Sequence, residues 1–84
     1  MDLKELFQQA VNGVRDLDTR PSNENLLKLY GLFKQSTEGD VEGDRPGGFD
    51  FKAIAKYDSW ASLRGMDTEE AMQAYIDLVN SLSK

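Results

Sequence analysis

Leu3, Leu6, Phe7, Ala10, Val14 and Leu17 recur at three- and four-residue intervals, which places them on one face of a helix. The pattern stops before Thr19-Arg20-Pro21, so helix one is predicted to end there. Ser22 or Asn23 can cap the next helix by accepting a bond from a free backbone N–H. The apolar positions that follow, Leu26, Leu27, Leu29, Tyr30, Leu32 and Phe33, cover well over half the circumference of helix two, more than a surface helix needs. That helix is either packed on two sides or turns part of its apolar arc to a ligand. From Ser36 to Asp50 glycines, a proline and acids replace the periodic pattern and predict a long loop. Helical spacing resumes from Phe51 to Leu63, with Phe51, Ile54, Ala55 and Ala61 toward one side and Tyr57 and Trp60 on another. Gly65 is placed for a left-handed cap, and Asp67-Thr68-Glu69-Glu70 has the spacing of a capping box. Helix four is predicted to bury Ala71, Met72, Ala74, Tyr75, Leu78, Val79 and Leu82.

With four helical segments and no strand pattern, the expected class is all-α, a small four-helix bundle. The long connection between helices two and three relaxes the usual demand that consecutive helices be antiparallel neighbours. A chain of 84 residues is expected to form one domain, residues 1–84, with a modest core.

Charge and inventory then narrow the chemistry. A net charge of −5 opposes non-specific nucleic-acid binding and attachment to anionic membranes, because both surfaces repel it at long range. No apolar run approaches the roughly 20 residues of a spanning helix, and Met1-Asp2-Leu3-Lys4-Glu5 lacks a signal-peptide layout. Stable membrane insertion is therefore not expected, and a cytoplasmic location is. The chain has no cysteine and no histidine, which removes the usual nucleophile, general base and commonest metal ligands. Carboxylates are plentiful, yet no spacing singles out a catalytic pair. Asp40-Val41-Glu42-Gly43-Asp44 fails as a calcium loop, since Arg45 and Phe51 stand where glycine and glutamate are required. Gly47-Gly48-Phe49-Asp50-Phe51-Lys52 lacks the Gly-Lys-Ser/Thr ending of a phosphate-cradling loop.

Lys52 and Lys56 stand one turn apart on helix three, where two like charges are either a solvated face or an anion site. Lys34 follows Tyr30 by one turn on helix two, with its stem free to lie over apolar neighbours. Tyr30, Phe33 and Tyr75 read singly as core aromatics as well as they read as ligand contacts, and Trp60 is assigned to packing. Together, the lysines and aromatic faces suit a ligand that is part aromatic base, part phosphate and part apolar tail.

One longer pattern unites these residues. Phe7, Pro21, Leu27, Tyr30, Lys34-Gln35, Gly39-Asp40, Arg45-Pro46-Gly47, Asp50, Lys52, Ala55-Lys56, Trp60, Ala71 and Tyr75, in this order and spacing, resemble the acyl-CoA-binding protein family over nearly the whole chain. The resemblance implies an up-down-down-up four-helix bundle and a non-catalytic, monomeric carrier. Its ligand would be a medium- to long-chain fatty acyl-CoA, one per monomer, delivered to acyl-CoA-using enzymes, with no cofactor and no metal. It further implies that Tyr30 gives a hydroxyl to the ligand, Phe33 stacks on adenine, and Lys34 and Lys56 bind the ribose 3′-phosphate. Arg15, Lys52 and Tyr75 would line the same pocket. Phe33 replaces the family's usual tyrosine, Ile54 a common lysine, Tyr57 a frequent tryptophan and Arg15 a more usual lysine. From other classes, a helical adaptor with an apolar groove on helix two predicts a protein partner and no affinity for CoA, and a carboxylate enzyme predicts turnover.

Overall fold

The carboxylate of Asp2 accepts a bond from the Glu5 N–H at 2.9 Å and starts α1 (Leu3–Gly13). In the computed structural model, which describes residues 1–83, the regular helix stops at Gly13 instead of running on to Leu17. Val14–Asp16 tighten into a 3₁₀ turn and Leu17 is extended. Tightening of this kind pairs terminal carbonyls that an α-helix would leave free, and Gly13 lowers the cost of leaving the helix.

Of the two cap candidates for α2 (Asn23–Glu38) Ser22 takes the position, its hydroxyl accepting from the Asn25 N–H at 3.1 Å. This helix extends past the predicted loop boundary at Ser36. Ser36 and Thr37 turn their hydroxyls back onto the carbonyls of Leu32 and Phe33, at 2.6 and 2.9 Å, which satisfies these polar side chains inside a helix. Gly39, at φ +77°, then ends it.

Asp50 caps α3 (Phe51–Ala61) through the Ala53 N–H at 3.1 Å. After the turn that follows, Gly65 adopts φ +88°, the left-handed conformation expected of it. The capping box at the start of α4 (Thr68–Leu82) does not form: Asp67 holds the cap position without a side-chain bond. Glu69 and Glu70 instead place negative charge in the first turn, where the helix end is positive.

Helix directions follow from who meets whom. Leu3 and Met72 share one depression at the starts of α1 and α4, and Gly13 and Leu82 share another at their ends, so these two helices run parallel. The Gln35 amide near the end of α2 reaches the Met66 carbonyl just before α4, so α2 runs opposite to α4. Lys52 faces Asn23 across one cleft, while Trp60 reaches Gly39 at the far end of α2, so α3 runs the same way as α2. The bundle is therefore up-down-down-up. Parallel neighbours cannot be joined by a short turn, and residues 39–50 make the return journey.

The core is Phe7, Ala10, Leu29, Tyr75, Ile76 and Val79, set where α1 and α2 clasp α4. Being packed from two sides, α4 buries Ile76 beyond its predicted stripe, while Ala74 is only half-buried. Against this, α3 packs chiefly on α2 and none of its residues is fully buried. Phe51, placed by its spacing on one side with Ile54, Ala55 and Ala61, is 70% exposed and lies edge-on to the 90% exposed Phe49, because no helix among the described residues packs over the first turn of α3. No helix among the described residues is long and apolar enough to cross a membrane.

The loop of residues 39–50 is pinned rather than loose. Arg45 grips Asp58 with two parallel bonds of 2.8 and 2.9 Å, the Tyr57 hydroxyl donates to the Gly43 carbonyl, and Val41 is buried. Asp40 accepts from both the Gln35 amide and the Gly65 N–H, each at 2.9 Å. These two bonds, the Gln35 bond foremost, hold the Asp40 carboxyl below its ordinary pKa, and the Arg45 bond does the same for Asp58. A carboxyl whose pKa is lower folded than unfolded stabilises the fold above the unfolded value, near 4, and that contribution disappears as pH falls through the folded value. Thermal melts recorded from about pH 5 down to about pH 2 are therefore expected to show a shallower acid loss in Asp40→Asn than in the wild type. Superimposable acid limbs would remove Asp40 from the account.

Candidate functional site

The α2–α3 seam begins with a glycine. A Cβ on Gly31 would come within 2.7 Å of the Ser59 hydroxyl and 2.8 Å of its carbonyl oxygen, so the two helices cross as closely as backbones allow. Ser59 completes the crossing by donating to the Leu27 carbonyl at 2.5 Å. Toward the start of both helices the seam opens into a cleft of about 540 Å³ lined by Arg20, Asn23, Leu26, Leu27, Tyr30, Lys52, Ala55 and Lys56.

The chemistry of this lining is unusual for the chain. It holds three cations and no carboxylate, although the protein carries a net charge of −5. Its floor is aliphatic and one wall is a tyrosine. A depression of comparable volume, 480 Å³, at the starts of α1 and α4 mixes Asp2 and Glu69 with Lys4 and has no aromatic face. Of the two, the α2–α3 cleft is the one that sets positive charge without a carboxylate beside apolar surface, the combination that an amphiphilic anion requires.

Two cation–aromatic contacts cross the seam in opposite directions. Lys56 of α3 lies over the Tyr30 ring of α2, 5.3 Å from its centre, and one turn further on Lys34 of α2 lies over the Trp60 ring of α3 at 4.9 Å. Each lysine is thus carried back toward the seam between the helices, where such contacts are worth about 0.5–1 kcal/mol when partly exposed. The Lys34 ammonium also bonds the Glu38 carboxylate, which, against the opposing effect of burial, keeps its pKa above the ordinary lysine value. Trp60 is more than packing: its indole N–H donates to the Gly39 carbonyl at 2.8 Å and ties α3 to the end of α2.

The predicted site residues thus divide by place. Tyr30, Lys52 and Lys56 line the cleft, and Lys34 lies one turn along the same seam. Phe33 is 37% exposed on the α1 side of α2, stacked on Phe7 with ring centres 6.0 Å apart and planes inclined by 24°. Tyr75 is buried in the core, edge-on to Phe7 with ring centres 5.1 Å apart, and burial pushes its phenol pKa up. Arg15 sits exposed on the 3₁₀ turn between α1 and α2. Arg20 was not singled out by the sequence, yet it stands at the cleft mouth with Asn23. The available signal was its place: a cation immediately before Pro21 and the Ser22 cap must lie at the N-terminal end of α2. Among the described residues no group of three or more His, Cys, Asp or Glu is placed to hold a metal.

Comparison with known proteins bears on this geometry. The family model described as "Acyl CoA binding protein" matches residues 4–79. The chain is 49% identical over 82 residues to the acyl-CoA-binding protein of Brassica napus, covering 98% of this chain and 89% of that protein. It is 47% identical over 83 residues to an acyl-CoA-binding protein homolog of Manduca sexta, covering 98% and 92% respectively. The crystal structure of Oryza sativa acyl-CoA-binding protein 2 superposes with a TM-score of 0.91 at 42% identity, over 96% of this chain and 90% of that one.

Proposed function

Because the chain belongs to the acyl-CoA-binding protein family, we propose that it binds medium- to long-chain fatty acyl-CoA esters, one per monomer, and carries them in the cytoplasm to enzymes that use them. The observation that carries this reading is the cleft whose lining sets Arg20, Lys52 and Lys56 beside Leu26, Leu27, Tyr30 and Ala55. A phosphorylated, base-bearing head group and an apolar tail each find a matching surface there.

The residues divide the work as follows in this proposal. Lys34 and Lys56 hold the ribose 3′-phosphate, Tyr30 gives its hydroxyl, and Lys52, with Arg20 and Arg15, supplies positive charge along the phosphate groups. Phe33 stacks on adenine with Phe7 behind it. Tyr75 contributes from beneath by supporting Phe7, since its own ring is buried. In this proposal the thioester is sheltered and returned unchanged.

Head group and tail should act together. Buried methylenes contribute roughly 0.8 kcal/mol each and a hydrogen bond to a charged group about 1.5–3 kcal/mol. Calorimetric titration is expected to give palmitoyl-CoA an affinity at least about a hundredfold above that of either CoA or palmitate, with the ester recovered intact. Lys56→Ala is expected to weaken palmitoyl-CoA by about 10- to 100-fold while leaving palmitate unaffected. Palmitate binding as tightly as its CoA ester would sink the proposal, and consumption of the ester would replace a carrier with an enzyme.

A further inference from the structure

Lys34 differs from the cations of the cleft in one respect: its ammonium already has an anion. The Glu38 carboxylate, one turn along α2, is bonded to Nζ, while Lys52 and Lys56 have no carboxylate partner among the described residues. The Trp60 ring covers the same ammonium. The Lys34 side chain is 24% exposed and that of Glu38 is 52% exposed, so water reaches the pair and it exchanges partners at little cost.

We infer that Glu38 competes with the ligand's phosphate for Lys34 and thereby sets how tightly, and how selectively for a 3′-phosphorylated head group, this chain holds its ligand. The inference rests on the proposed placement of that phosphate at Lys34 and Lys56. A phosphate arriving on the seam has two courses. Either the Lys34–Glu38 bond breaks, and its loss is subtracted from the binding free energy, or the bond persists and a carboxylate faces the phosphate across one lysine. Both courses weaken binding, and both do so only for a ligand that carries charge at this point. An apolar tail or a head group without the 3′-phosphate leaves the pair undisturbed. Glu38 is therefore an affinity-setting residue that acts through Lys34 and need not touch the ligand.

Removing the charge alone tests this. Glu38→Gln keeps a hydrogen-bonding side chain, and a neutral residue suits the C-terminal turn of α2, where the helix end is already negative, so folding should survive. Glu38→Ala provides a second variant if it does not. Kd values for palmitoyl-CoA and palmitoyl-dephospho-CoA are to be measured in the wild type, in Glu38→Gln, in Lys34→Ala, in Lys34→Ala/Glu38→Gln and in Glu42→Gln, which removes equal charge from the exposed loop. Glu38→Gln is expected to tighten palmitoyl-CoA by roughly three- to tenfold and to leave the dephospho ester within about twofold. The gain should vanish in the Lys34→Ala background and be absent in Glu42→Gln. No gain, an equal gain for both esters, or the same gain with Lys34 absent or with Glu42→Gln would overturn the inference. Wild-type protein that binds both esters equally would overturn the phosphate placement itself, and this inference with it.

Discussion

Gly31→Ala is expected to destabilise the protein and to weaken acyl-CoA binding together. In an ordinary helix interior the same change would stabilise by about 1 kcal/mol, because alanine is the better helix former. Here the new methyl would lie 2.8 Å from the Ser59 carbonyl oxygen and 3.0 Å from its carbon, and backbone atoms cannot rotate aside. The helices must separate, which strains the crossing by about 1–3 kcal/mol. Separation also stretches the Ser59–Leu27 bond, itself worth about 0.5–1.5 kcal/mol. The net loss should be about 1–2 kcal/mol for alanine and more for Gly31→Val. Because the walls of the cleft are those two helices, palmitoyl-CoA affinity should fall by about tenfold, the effect of losing one good contact. Urea unfolding and titration on the same preparations check both halves. A more stable Gly31→Ala with unchanged affinity would mean that α2 and α3 do not approach this closely.

The second large effect is expected at Gln35, among the described residues the one large side chain that is completely buried. Its amide nitrogen donates to the Asp40 carboxylate at 2.9 Å and to the Met66 carbonyl at 2.8 Å, while its Oε1 is buried without a partner among the described residues. The amide thus joins the end of α2, the start of the loop and the approach to α4 at one point. Gln35→Leu leaves the Met66 carbonyl without that donor, at a cost of about 1–3 kcal/mol. Gln35→Glu is harsher: it sets a buried carboxylate against two acceptors, one of them charged, and should cost roughly 3–5 kcal/mol at neutral pH. Protonation would restore a donor to the substituted side chain, so its folded pKa should stand above the unfolded value near 4.3. With the pKa raised in the folded state, the deficit should shrink as pH is lowered from about 7 to about 5, above the range in which Asp40 itself loses its contribution. Urea unfolding at both pH values would reveal it. A Gln35→Glu deficit that is small, or independent of pH, would show that the knot is not closed as described.

How far each of these features could be read from the chain differs with the distance over which it is decided. Four helices, the Ser22 cap of α2 and the Gly65 turn rest on residues within a few positions of one another, so local spacing and capping chemistry determine them. The ordered series from Phe7 to Tyr75 also carried the family, and with it Tyr30, Lys34, Lys52 and Lys56 as candidates. Periodicity alone left helix two undecided between a doubly packed core helix and a ligand-facing one. The fold divides that arc: Leu29 enters the core with α1 and α4, while Leu26, Leu27 and Tyr30 face the cleft. Two element ends differ from the periodic pattern for different reasons: Ser36 and Thr37 satisfy their hydroxyls inside α2 and prolong it, while Gly13 lets α1 leave the regular helix early.

What the chain could not disclose by itself is which separate stretches meet. Nothing local says that Gly31 faces Ser59, that Arg20 completes a wall begun by Lys52, or that Lys56 finds Tyr30 while Lys34 finds Trp60. Periodicity fixes the face a residue occupies on its own helix; only packing decides what lies opposite that face. Phe51 and Ile76 make the point in opposite senses. Phe51 shares an apolar side with Ile54 and Ala55 yet stands exposed because α3 has a single main neighbour, while Ile76 lies off the predicted stripe yet is buried because α4 has two. The alphabet of the site was local, and its assembly waited on the parallel course of α2 and α3 that the loop of residues 39–50 makes possible.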